Sequence, residues 1–110
     1  MKDSLKRQAD FDLVFSKGKK RVSSTLLMLY IKSNELKVGY CVTKKHGKAH
    51  LRNYIKRVLR SAFSTYKKKV GNYYIVFLPK KAEKYDFHKI QSDIKFMLEK
   101  ENLINESLTN

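Results

Sequence analysis

Apolar positions recur along this chain in two rhythms, one that suits helices and one that suits strands. Gln8 to Lys17 carries Phe11, Val14 and Phe15 at helical spacing, with Leu13 at the side, and Gly18 stands where such a helix would stop. Gly18-Lys19-Lys20-Arg21 then fits a basic turn or a short edge strand. Thr25 to Lys32 (TLLMLYIK) is apolar, bounded by polar residues and too short for a typical helix, which predicts a well-buried strand. Ser33-Asn34 supplies turn chemistry. Leu36 to Thr43 alternates, with Val38, Tyr40 and Val42 on one side and Lys37, Gly39, Cys41 and Thr43 on the other. The short connection predicts that these two strands pair as an antiparallel hairpin.

Helical spacing returns from about His50, where Leu51, Ile55, Val58, Leu59, Ala62 and Phe63 form one stripe. After a basic exit (Tyr66-Lys67-Lys68-Lys69) and a Gly71-Asn72 turn, Tyr73 to Leu78 predicts a third strand, stopped by Pro79. Asp86 suits the N-cap of a last helix with the stripe Phe87, Ile90, Ile94, Met97 and Leu98. The pattern weakens from Glu99, and roughly residues 100–110 are expected to fray. The order predicts one domain over 1–110, an α/β (α+β) two-layer sandwich. It would have three helices and a small mixed sheet of three to four strands. A helix that joins two strands of one sheet ordinarily makes a right-handed crossover.

Charge changes the picture of the central helix. Arg52, Asn53, Lys56, Arg57 and Arg60 fall on the surface left by its apolar stripe, with Lys44, Lys45 and Lys48 in the lead-in. Residues three and four apart on a helix are neighbours, so these cations repel one another. A carboxylate would relieve them, yet no Asp or Glu occurs between Glu35 and Glu83. Such a face expects its counter-charge from outside, and phosphates fit best. The formal net charge of +15 adds attraction to polyanions, while 42% hydrophobic residues are too many for a disordered basic tail. Cys41 is the single cysteine, which excludes an internal disulfide and suits a reducing compartment. The amino terminus lacks the apolar core of a secretory signal, and the run Leu26 to Ile31 is far short of a membrane span. The expectation is a cytoplasmic protein without a membrane partner.

Self-sufficient catalysis finds little support. His46 and His50 have the spacing of helical zinc ligands, but Gly47 stands where HExxH needs glutamate, and cations surround the pair. A nuclease reading would draw on His46, His50, Lys45 and Tyr54, yet no carboxylate in the basic segment could orient a histidine. Walker A and GxGxxG loops are absent, as are paired carboxylates. No catalytic residue and no protein-bound metal are therefore expected. Aromatic residues offer a second kind of surface, because unpaired bases stack on exposed rings. For Phe11 and Phe15, four apart on one helix face, the spacing alone favours the core; the alternative is that one or both reach a binding surface.

Four features in order resemble the protein subunit of bacterial ribonuclease P. They are DFDLVF (Asp10 to Phe15) followed by a glycine and basic residues, the strand ending LMLYI, the segment VGYCVTKKHGKAHLRNYIKRVLRSAF (Val38 to Phe63), and a late strand with a terminal helix. The third resembles the family's form VGxxVSKKxGxAxxRNRxKRxxREAF and is the most specific. The resemblance implies a left-handed crossover through the central helix, against the general rule. It also implies that Lys44, Lys45, Lys48, Arg52, Asn53, Lys56, Arg57 and Arg60 bind the catalytic RNA subunit. The 5′ leader of precursor tRNA would lie between the first helix and the sheet, against Phe11, Phe15 and Tyr30. The RNA would do the chemistry with Mg2+ that it mainly binds itself, and no protein partner would be required. Two positions depart from the pattern: Tyr54 replaces the second arginine of Arg-Asn-Arg, losing a bidentate phosphate donor, and Lys48 stands where asparagine is frequent. A ribosomal-type RNA-binding protein and a small basic toxin-type ribonuclease are the alternatives.

Overall fold

The computed structural model describes residues 4–104. Helix α1 (Gln8–Lys17) leads into strands β1 (Lys19–Val22), β2 (Leu26–Lys32) and β3 (Lys37–Tyr40). Helix α2 (Ala49–Ser64), strand β4 (Tyr73–Pro79) and helix α3 (Phe87–Lys100) complete the order. This is the expected α+β arrangement of three helices and a four-stranded mixed sheet.

The strand order is β1-β2-β4-β3, which corrects the predicted hairpin. Leu36 to Thr43 does not pair with β2. Instead β4 enters between them, antiparallel to β2 and parallel to β3. The turn after β2 passes over the start of β4, where the Ser33 N–H donates to the Asn72 carbonyl at 3.0 Å. The reason is hydrophobic burial. Tyr73 to Leu78 is apolar on both faces and belongs inside a sheet, whereas Lys37 and Gly39 suit an edge. The antiparallel hairpin forms one step earlier, between β2 and the basic edge strand β1. The adjacent parallel pair β3 and β4, joined through α2, is the βαβ crossover.

Alternation along β2 and β4 divides the core in two. Leu26, Met28, Tyr30, Ile75 and Phe77 face one side, where the buried stripes of α2 (Ile55, Val58, Leu59, Ala62, Phe63) and α3 (Ile90, Ile94, Met97, Leu98) close over them. Leu29 and Val76 face the other side, where α1 contributes the buried Val14. Gly18 ends α1 as expected, its N–H donating to the Val14 carbonyl at 2.8 Å. A Cβ there would come within 2.4 Å of that oxygen and 2.9 Å of the Tyr30 carbonyl oxygen, so only glycine fits the crossing. Asp86 caps α3 by accepting from the His88 and Lys89 N–H groups.

The end of the chain corrects a second expectation. Residues 101–104 do not fray: Leu103 is buried and its carbonyl accepts from the Gly71 N–H, and Glu101 accepts from Arg21 and Tyr30. The rest of the expected frayed tail lies outside the described residues.

Candidate nucleic-acid interface

Helix α2 buries its apolar stripe against the sheet and thereby turns its cations outward. Asn53, Arg57 and Arg60 are exposed, and Arg52 and Lys56 are half-buried. Arg52, Lys56 and Arg60, four residues apart, form a row along one side of the helix. The Arg60 guanidinium stands 5.7 Å from the Tyr40 ring centroid, within cation–π range. Burial pushes the Cys41 thiol up, and Lys56 is close enough to oppose that shift in part. The ion pairs Arg7–Asp10 and Arg21–Glu101 lie away from this helix. Arg52 Nε is shut off from solvent with no hydrogen-bond partner among the described residues. Leaving that buried N–H unpaired is costly.

The lead-in to α2 is fixed by its histidine. A 3-10 turn over Lys44–His46 is capped by Thr43, whose hydroxyl accepts from the Lys45 N–H. His46 Nδ1 accepts from the Thr43 N–H at 3.0 Å, and Nε2 donates to the Pro79 carbonyl at 2.7 Å. This pattern assigns the ring proton to Nε2 and ties the turn to the end of β4. Both nitrogens are engaged in structure, which leaves His46 poorly placed as a nuclease base. Lys44, Lys45 and Lys48 are exposed around it.

The opposite face of the sheet is only partly covered. Helix α1 seats Val14 there, while Phe11 is half-buried and Phe15 is 44% exposed. The spacing argument for two core phenylalanines thus fails for Phe15. A Cβ at Gly39 would lie 2.6 Å from the Phe11 ring, so glycine is what lets that ring reach β3. Around the buried Leu29 and Val76, the side chains of Leu27, Ile31, Cys41, Tyr74 and Leu78 are half-buried and form an apolar shelf. A groove of about 550 Å³ at its end is lined by Cys41, Leu78 and Pro79 together with Lys44 and Lys45. The shelf therefore runs into the lead-in of the cationic helix.

Tyr30 does not belong to this shelf. Strand alternation points it to the α2/α3 side, where it is 7% exposed, its ring edge-on to Tyr73 and its hydroxyl donating to Glu101. Its place among the leader contacts is corrected on that ground: the neighbour that faces α1 is Ile31, and Tyr74 is the tyrosine on that side. Period-two alternation contained this signal, but a strand apolar on both faces hides which face is left open. Among the described residues no three His, Cys, Asp or Glu side chains converge as a metal site. The described residues thus offer no fitting cage for Mg2+.

Comparison with known proteins bears on this geometry. The profile of the family described as Ribonuclease P matches residues 1–102. The chain belongs to the ribonuclease P protein family. The ribonuclease P protein component of Clostridium kluyveri is 34% identical over 106 residues, covering 90% of this chain and 94% of the relative. That of Caldanaerobacter subterraneus subsp. tengcongensis is 35% identical over 107 residues, covering 93% and 91%. A structure of the Staphylococcus aureus RNase P protein superposes with a TM-score of 0.83 at 25% identity, over 94% of this chain and 98% of that one. As a family member the chain is a protein subunit of the ribonuclease P ribonucleoprotein, the endoribonuclease of tRNA 5′ maturation, and its partner is the ribonuclease P RNA. No helix among the described residues is long and apolar enough to cross a membrane.

Proposed function

We propose that this subunit joins two polyanions through two faces of one sheet. Lys44, Lys45, Lys48, Arg52, Asn53, Lys56, Arg57 and Arg60 hold the catalytic RNA, and Phe11, Phe15 and the shelf of Leu27, Ile31, Tyr74 and Leu78 hold the single-stranded 5′ leader of precursor tRNA. The observation that carries this reading is an apolar shelf, half-covered by the helix that leaves the Phe15 ring exposed and continuous with the exposed Lys44 and Lys45. Cations neutralise phosphates and release counterions. Rings and aliphatic side chains receive unstacked bases with little sequence preference. The catalytic RNA would hold the Mg2+, which would supply an activated water. The protein acts in the cytoplasm by lowering the repulsion between the RNAs and lengthening the contact with substrate.

The test is reconstitution. Purified protein is incubated with labelled precursor tRNA at low Mg2+, with and without ribonuclease P RNA. Cleavage at the mature 5′ end only with both present is the expected result. Cleavage by the protein alone, abolished by His50→Ala, would replace this reading with a protein nuclease.

A further inference from the structure

The position that departs from the family's Arg-Asn-Arg pattern opens onto a groove the two faces above do not use. Tyr54 is 51% exposed on α2, on the flank that approaches the segment between β4 and α3. Between them lies a groove of about 390 Å³, lined by Leu51, Tyr54, Glu83, Lys84, Tyr85 and Asp86. Tyr85 is buried and its hydroxyl accepts from the Ala82 N–H at 3.1 Å, so the floor is fixed. Asp86 is committed to capping α3. That leaves Glu83, exposed, as the carboxylate at the mouth, and Lys84 as a cation beside it.

Resting on the reading of α2 as the RNA-binding helix, we propose that this groove takes one unpaired guanine of the ribonuclease P RNA, stacked on Tyr54 with its edge on Glu83. Three features select this occupant. The ring lies next to exposed cations that attract a phosphate backbone but has no charge of its own, so it suits a base face. The volume and the Leu51 and Tyr85 floor accommodate a flat ring system. The carboxylate, the first acidic side chain after Glu35, would repel phosphate but accept donors. Guanine alone among the four bases presents two N–H donors side by side on its Watson–Crick edge, which a carboxylate accepts in parallel. An arginine at position 54 would have held a phosphate; tyrosine changes the recognised group from backbone to base.

The test is kethoxal footprinting of the RNA, a reagent that modifies unpaired guanine at that same edge, combined with assembly titrations over a range of salt. Wild type and Tyr54→Phe should protect one guanine that reacts in free RNA. Tyr54→Ala and Glu83→Ala should leave it reactive, with Tyr54→Ala weakening assembly about tenfold at an unchanged salt slope. Circular dichroism checks folding, which an exposed side chain should not disturb. Protection that does not depend on Tyr54 overturns the proposal. So does tighter assembly by Glu83→Ala, the sign expected if the carboxylate merely repels RNA. Arg57→Ala separates the layers: it should lower the salt slope by about one. Unchanged affinity and slope for Arg57→Ala would refute the helix-face reading, and the guanine site with it.

Discussion

The two faces of the sheet share strands but are finished differently. On one side α2 and α3 close over a continuous core that includes Met28, Ile75 and Phe77, each fully buried, and the cations stand on the outer surface of the covering helix α2. On the other side a ten-residue helix supplies one buried apolar side chain, Val14, and leaves Leu27, Ile31, Tyr74 and Leu78 half-covered. In the proposed function the first face binds with what the core pushes outward, and the second with core-type residues that nothing finishes burying. Salt should therefore weaken the first contact steeply and the second only mildly.

Charge reversal at both Arg57 and Arg60 should give the largest effect. Two attractive contacts become repulsive, and affinity for the ribonuclease P RNA should fall by about a hundredfold or more with a shallower salt slope, read by filter binding. Loss of substrate binding with assembly intact would place the RNA elsewhere. Phe15→Ala comes next. It should reduce affinity of the assembled enzyme for precursor tRNA by about tenfold while mature tRNA binding is unchanged, since one stacked base is lost. Gly39→Ala should act in the same direction but less, because its methyl displaces the Phe11 ring without removing it. Equal loss of RNA assembly in that variant would mean that the two faces are not independent.

Tyr30→Phe should be the smallest in function and visible only in stability. Without the hydroxyl donor Glu101 loses a partner, which costs about 1–2 kcal/mol in urea unfolding, while leader affinity stays at the wild-type level. A selective loss of precursor affinity would restore Tyr30 to the substrate face. The same pair sets a pH dependence. The Tyr30 hydroxyl, with Arg21, holds Glu101 below its ordinary 4.5, so this stabilisation is present above that value and is lost as pH falls through the lower folded value. Burial, then Glu101, pushes Tyr30 from 10.0 up to about 12, so its contribution is complete below pH 10 and lost as pH rises toward 12. Both losses should be blunted in Tyr30→Phe.

Much of this was legible in the sequence. The bounds of α1, the stripe and cationic face of α2, the Asp86 cap and the alternation of β3 follow from local chemistry, and the structure agrees with each. Strand order was not legible, because the apolar runs of β2 and β4 specify burial on both faces without naming a neighbour. The exposure of Phe15 was hidden for a related reason: four-residue spacing from Phe11 describes a shared helix face, but only tertiary packing says how far the covering sheet extends. Tyr30 looked like a ligand contact until its register on β2 turned it toward Glu101. The ordering of residues 101–104 comes from Arg21 and Gly71, both remote in sequence.

If two faces hold two RNAs, precursor tRNA affinity measured against leader length, at saturating protein, should separate wild type, Phe15→Ala and Arg57→Glu. Affinity should rise with leader length for wild type and Arg57→Glu and stay flat for Phe15→Ala. A rise unchanged in Phe15→Ala, or abolished equally in both variants, would contradict that arrangement.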